Sequence, residues 1–313
     1  MKSLVVYHQK REGVDCPDGI AAAWVADRYL RRQGEFFRVM GCSYGEEAPD
    51  VSDYDRVFVL DFSFPRSIVD SWVAQSKQVV IIDHHKTAQE MLGDISRFSE
   101  RFEFNFNLEE SGATLTWKYF RSEWVTPAFL LYVRDRDLWN HILPMTAEIH
   151  EASANMRSEL KKVSGITGIP ARDLIFSAFD HLATLTQKQL IEVMGDRGFE
   201  LLKPKREAIE AAFSRHEMVY LPPIPGSEDK PFRIPVVYLK PEENRLNSDV
   251  CEVLYKRLLG YPFVACVTKN GGWSLRSDKD GNNFDVSKVA QLYGGGGHWN
   301  SAGFKTGGLS DAT

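Results

Sequence analysis

The residues best suited to chemistry in this 313-residue chain are carboxylates and imidazoles that follow apolar runs. Asp61 directly follows Val57-Phe-Val-Leu60, and Asp83-His84-His85 directly follows Val79-Val-Ile-Ile82. His8 ends a first run at residues 4–7, Asp15 and Asp18 lie just beyond it, and Asp135 and Asp137 follow the apolar residues 129–133. Oxygen and imidazole donors in this mixture suit Mn²⁺ or a similar divalent ion better than a thiolate zinc site would. A lone Asp after a strand is more often a turn or cap residue than a ligand. Two adjacent imidazoles and a carboxylate placed straight after four apolar residues have no packing rationale, so the triplet reads as functional.

Such residues need rigid elements to aim them. Between residue 1 and about residue 140, β-branched runs at 4–7, 36–40, 56–60 and 78–82 alternate with helical patterns, which is the rhythm of an α/β sheet. Residues 18–32 carry Ile20, Ala23, Trp24, Ala26 and Leu30 near helical spacing, with Asp27, Arg28, Arg31 and Arg32 on a polar side. A second helix is expected after Pro65. In an open α/β sheet the crevice beyond the strand carboxyl ends binds ligands, so Asp61 and the Asp83 triplet are expected to share one site. Residues 145–218 are mostly helical in pattern, with a connecting helix over 204–218, and the Pro- and Gly-rich stretch 221–231 marks a boundary. Beyond it come a strand at 234–239, a helix at 249–259 stopped by Gly260, a hairpin around Asn270-Gly271, and the loop Gly294-Gly-Gly-Gly-His298.

The totals narrow the class. With 43% apolar residues the chain is long enough for two cored domains, and a formal charge of −5 argues against coating long nucleic acid, which needs clustered Lys and Arg. Short phosphorylated substrates stay open, whereas a long duplex does not. Four cysteines at 16, 42, 251 and 266 lack paired zinc spacing and point to a reducing, cytoplasmic setting. The N-terminus reads as a strand rather than a signal peptide, and no run reaches membrane-spanning length.

Asp83-His84-His85 together with Gly294-Gly-Gly-Gly-His298-Trp-Asn-Ser-Ala302-Gly303 resembles the phosphoesterases named for the Asp-His-His (DHH) triplet and their C-terminal associated domain, DHHA1. Asp61, the segment Asp18-Gly19-Ile20-Ala-Ala-Ala23 and the segment Arg134-Asp135-Arg-Asp137-Leu-Trp139 fall in that family's other motif positions, so the resemblance covers nearly the whole chain. The branch it most resembles contains oligoribonuclease B and cyclic-nucleotide phosphodiesterases. The resemblance implies an N-terminal parallel-sheet DHH domain (1–145), a helical connector (146–230) and a smaller α/β DHHA1 domain (231–313). It implies His8, Asp18, Asp61, His84 and Asp135 as ligands of two divalent ions, Mn²⁺ foremost with Mg²⁺ or Co²⁺ as alternatives, and Asp61 as a candidate bridge. Asp15 is a candidate first carboxylate, although residues 10–14 widen the gap after His8, and Asp137 is the rival to Asp135. Asp83 would orient the triplet, and His85 would touch the phosphate or assist proton transfer.

Two such ions about 3.5–4 Å apart hold an attacking hydroxide and stabilise an in-line displacement. The implied activity is hydrolysis of short oligonucleotides or of cyclic or linear dinucleotides, with Arg276, Gly295, Gly296, Gly297 and His298 holding the substrate. A 5′ to 3′ single-strand exonuclease and a non-catalytic nucleotide-binding sensor are the alternatives.

Overall fold

The computed structural model describes residues 1–305 except 76, 93–99, 122, 222–230 and 278–283, with backbone alone for 87, 91 and 298. The chain divides between Leu201 and Leu202 into two compact units, so the expected connector 146–230 contributes to both.

The first unit holds strands β1 (Lys2–Arg11), β2 (Val14–Asp15), β3 (Phe36–Cys42), β4 (Arg56–Leu60), β5 (Gln78–Asp83) and β6 (Phe102–Phe106). Five of them pair in parallel in the order β3-β1-β4-β5-β6, while β2 turns back antiparallel onto the end of β1. The strand order therefore reverses between β1 and β4, which is where a doubly wound sheet opens its ligand crevice. Its helices are α1 (Pro17–Arg32), α2 (Arg66–Ala74), α3 (Lys86–Leu92), α4 (Gly112–Arg121), α5 (Ala128–Asp137), α6 (Thr146–Thr167), α7 (Ala171–Ala183) and α8 (Gln187–Leu190).

Alternation along the strands covers both faces of the sheet. Val5, Tyr7, Phe58, Leu60, Val80 and Ile82 pack under Ile20, Trp24 and Leu30 of α1 and under Ala113 and Trp117 of α4. Leu4, Val6, Val57, Val59, Val79 and Ile81 pack instead against Val69 and Trp72 of α2. Fully burying each such side chain stabilises the fold by roughly 1.5–3 kcal/mol, which is why near-continuous apolar runs become central parallel strands. Helix α1 starts where it does because Pro17 suits a first turn and Asp18 meets the positive end of the helix dipole, and Arg31 and Arg32 complement the other end. Gly34, at φ +68°, then lets Glu35 N–H reach back to Leu30 O and close the helix.

The second unit takes up most of α9 (Asp196–Phe213) and holds β7 (Glu217–Leu221), β8 (Phe232–Leu239), α10 (Asn247–Arg257), β9 (Val264–Thr268), β10 (Gly272–Arg276), α11 (Val286–Leu292), β11 (Gly296–His298) and β12 (Ser301–Lys305). Its sheet runs β11-β12-β10-β9-β8-β7, parallel only between β8 and β9. Helix α11 buries Val286, Val289 and Ala290 on one face, and α10 buries Val250, Cys251 and Leu254 on the other. The expected α/β class is thus what forms. The connecting helix expected over 204–218 is corrected: α9 begins at Asp196, carries Pro204 inside it and ends at Phe213, and Met218 lies in β7. Nine of the residues expected to form the boundary loop, 222–230, lie outside the described residues. Among the described residues no helix is long and apolar enough to cross a membrane.

Candidate metal centre

The carboxyl ends of β1, β4 and β5 carry His8, Asp61 and the Asp83 triplet to one place, and α1 and α5 bring Asp18 and Asp137 to it. His84 Nε2 lies 3.1 Å from Asp61 Oδ1, 3.4 Å from Asp137 Oδ2 and 3.8 Å from Asp18 Oδ2. His8 Nδ1 lies 3.3 Å from Asp61 Oδ2, so Asp61 stands between the two imidazoles with one oxygen toward each.

Close backbone approach makes this possible. A Cβ on Gly19 would stand 2.4 Å from His8 O, so only glycine lets α1 seat Asp18 against the end of β1. A Cβ on Gly112 would stand 2.6 Å from Asp61 Cβ, so glycine also lets the start of α4 reach the site. Gly112 N–H and Ala113 N–H donate to the two oxygens of Asp18 at 2.5 and 3.0 Å, and Asp18 thereby satisfies orphan donors of a helix N-terminus. Asp61 itself is held at φ +64°, a left-handed backbone that costs an ordinary residue about 1–2 kcal/mol. Strain of that kind gathers at functional positions.

Asp83 is fully buried and accepts four hydrogen bonds. Its Oδ1 receives His84 N–H at 2.7 Å, His85 N–H at 3.1 Å and the His85 ring Nδ1 at 2.7 Å, and its Oδ2 receives Ser63 Oγ at 2.6 Å. It shapes the turn that presents both histidines. Phe62 stacks on His8 with centroids 6.0 Å apart, and the Tyr44 ring meets His8 and His85 edge-on.

The charges fit a cation. Burial, then the neighbouring Asp61 and Asp137, push the Asp18 carboxyl well above the ordinary carboxylate range. Burial and Asp61 likewise lift Asp137 to about 6. Burial opposes ionisation of Asp61 too, but hydrogen bonds and charge from His8 and His84 outweigh it and hold that carboxyl low. Burial disfavours a charged His84, yet Asp61, Asp18 and Asp137 reverse this and raise the ring to about 9. Three carboxylates converging on so little space repel one another unless protons or a metal ion compensate them, and their oxygens with the neighbouring imidazoles offer the donors a divalent metal ion takes.

Two residues proposed from sequence lie elsewhere. Asp15 Oδ1 accepts from Tyr7 Oη and Gln9 Nε2, each at 2.8 Å, and its Oδ2 pairs with Lys161 Nζ at 2.8 Å, so it ties the β1–β2 hairpin to α6. Asp135 accepts from Ile142 N–H, Leu143 N–H and Thr146 Oγ1, so it braces the loop after α5, and its rival Asp137 takes the place beside His84. Sequence reasoning also passed over Cys16, whose sulfur lies near His8 and Asp61. Burial, then the neighbouring Asp61 and Asp18, push its thiol up in the metal-free protein. The amides of Gly112 and Ala113 were passed over as well; the one cue in the sequence is the Ser111-Gly-Ala-Thr114 helix start.

In the second unit, Arg276 Nη1 donates to Leu275 O at 2.9 Å and Nη2 to Ser248 Oγ at 3.3 Å. A Cβ on Gly295 would stand 2.1 Å from Gly303 O, and one on Gly297, at φ +143°, 2.6 Å from Ala302 Cα, so both glycines are required for β11 to lie on β12. Gly296 alone of these three has open space where a Cβ would be. The backbone of His298 pairs with Ser301, and its side chain lies outside the described residues.

No family model matches the chain. It is 26% identical over 326 residues to the uncharacterized protein R106 of Acanthamoeba polyphaga mimivirus, covering 98% of this chain and 68% of that one. Among solved structures it is similar to the pGpG-specific phosphodiesterase PggH of Vibrio cholerae, with a TM-score of 0.54 and 12% identity over 100% of this chain and 95% of the other. RecJ of Thermus thermophilus, solved in complex with Mn²⁺, aligns with a TM-score of 0.46 and 14% identity over 97% of this chain and 49% of that one. At these identities the likeness is one of architecture: the chain shares with PggH a mixed α/β fold built on a parallel-sheet core.

Proposed function

We propose that this chain is a divalent-metal-dependent phosphodiesterase acting on short oligonucleotides or on cyclic or linear dinucleotides. The observation that carries this reading is the convergence of Asp18, Asp61, Asp137, His8 and His84 at the carboxyl ends of β1, β4 and β5 and on the two helices beside them. The fold it has in common with a pGpG-specific phosphodiesterase supports the substrate class, as do the Asp-His-His and Gly-rich motifs. Those five side chains would hold the ions, Mn²⁺ being the first choice, and Asp61, which faces both imidazoles, would be the candidate bridge. When bound, the ions supply Lewis-acid polarisation of the phosphoryl group and a water acid enough to attack it.

The chain's own groups account for the rest. Asp83 holds the His85 ring through Nδ1, which leaves Nε2 as the nitrogen for a substrate oxygen. Burial lowers the affinity of that ring for a proton, but the hydrogen bond and charge of Asp83 more than restore it, so His85 is poised to donate to the phosphoryl or leaving oxygen. Gly112 N–H and Ala113 N–H fix Asp18 before any ion arrives, so little reorganisation remains for binding. We assign substrate recognition to Arg276 at the end of β10 and to Gly296 and His298 of β11, with Gly295 and Gly297 letting β11 lie on β12. Four unpaired, buried cysteines fit a reducing, cytoplasmic setting.

The test is incubation with Mn²⁺ and a panel of cyclic nucleotides, linear dinucleotides, oligomers of rising length and pyrophosphate, with products separated by chromatography. Dinucleotides and the shortest oligomers should be consumed fastest. Rates that rise with length would favour the exonuclease, and binding without turnover would favour the sensor.

A further inference from the structure

Away from the metal ligands, a pocket of about 720 Å³ is lined by α1, α4, the connection from α4 to α5 and the end of α7. That is within the ~300–1,000 Å³ of small-molecule sites. Its floor is the buried pair Trp24 and Trp117, whose rings stack 12° from parallel with centroids 6.3 Å apart. One wall is already satisfied: Asp180 accepts from Trp24 Nε1 at 2.9 Å and from Arg28 Nε and Nη2, each at 2.8 Å. Among the described residues Asp180 is the only carboxylate lining the pocket, and Arg28 uses it.

The other two cations are left over. Arg32 and Arg121 form no ion pair among the described residues, and both guanidinium groups lie over the Trp124 ring, at 5.5 and 5.6 Å. Arg121 Nε is buried and has no hydrogen-bond partner among the described residues, an arrangement that destabilises a protein unless something accepts the bond. Burial and the like charge of Arg32 both work against the charged form of Arg121. Unpaired guanidinium groups beside exposed indole create a place for negative charge carried on a flat ring.

We propose that this pocket binds a small planar aromatic anion, its ring against Trp117 and Trp124 and its carboxylate or phosphate held by Arg32 and Arg121. The proposal is independent of the metal centre. The probe is 2-naphthoate, titrated calorimetrically into the full chain beside its neutral analogue 2-naphthamide and beside acetate. Naphthoate should bind at least about tenfold tighter than naphthamide, the worth of one charge-assisted contact, and acetate should show no binding. Arg32→Met with Arg121→Met should abolish the preference for naphthoate without changing bound Mn²⁺, whereas Asp61→Asn should leave naphthoate binding intact. Equal affinity for the two naphthalenes, or a preference that survives the double substitution, would overturn the proposal. So would a concentration-dependent dimer that Val125→Lys disperses, because the exposed Val125 rim would then belong to a second copy of the chain.

Discussion

Asp135 and Asp137 sit two residues apart in the last turn of α5, and replacing each by asparagine should separate folding from metal binding. Asp135 is 3% exposed, and its oxygens accept from Ile142 N–H at 3.1 Å, Leu143 N–H at 3.2 Å and Thr146 Oγ1 at 2.5 Å. Asparagine keeps one acceptor oxygen and turns an NH₂ toward donors that the other oxygen had served. At about 1–3 kcal/mol for each buried group left unsatisfied, Asp135→Asn should destabilise the protein by about 2–4 kcal/mol. For a unit of this size that lowers the melting temperature by roughly 5–15 °C. Asp137 behaves oppositely: burial and Asp61 already hold its carboxyl at about 6 in the metal-free protein. Asp137→Asn should therefore leave the metal-free melting temperature unchanged or raised, while weakening Mn²⁺ binding by at least about tenfold to a hundredfold. Thermal denaturation in chelator and calorimetric titration with Mn²⁺ read the two effects. A stable Asp135→Asn that cannot bind metal, or an Asp137→Asn that binds it normally, would refute the reasoning.

The metal-free protein should lose stability, and gain affinity for Mn²⁺, as pH rises from 6.5 to 8.5. The folded pKa of His84 is raised from 6.5 to about 9, so its stabilisation is complete below 6.5 and is lost on the way to about 9, and the proton that departs is the one a metal would have to displace. Melting curves in chelator and titrations at three pH values check both slopes, and a flat pair would contradict the assignment of His84. Gly112→Ala should weaken Mn²⁺ binding and destabilise by about 1–3 kcal/mol, because the new methyl stands 2.6 Å from Asp61 Cβ and breaks the approach of α4; circular dichroism with metal titration measures it. Asp15→Asn should leave Mn²⁺ affinity within about twofold of the parent, since Asp15 pairs with Lys161 rather than with the centre; a large loss would return Asp15 to the ligand set.

The central strands were legible because their apolar runs are buried on both faces, so no register choice was hidden. That His8, Asp61 and His84 come together was legible for the same reason: they sit where those runs end. Which of Asp135 and Asp137 stands beside His84 was not, because both lie in one helical turn and Asp135 is turned away by donors at Ile142, Leu143 and Thr146 that only the folded loop presents. Asp15 likewise depends on Lys161, far along the chain, and Asp18 on amides 94 and 95 residues away. The Gly-rich run could be seen, but not that Gly295 and Gly297 are required for strand packing while Gly296 is free of it.

The most direct measurement is the rate of hydrolysis of a linear dinucleotide by the purified chain, taken after chelation and again after Mn²⁺ is restored, with Asp61→Asn carried through the same cycle. The centre built from Asp18, Asp61, Asp137, His8 and His84 predicts turnover that vanishes with the chelator, returns with Mn²⁺, and is absent throughout from a folded Asp61→Asn. Turnover that persists in chelator, or that Asp61→Asn retains, would contradict it.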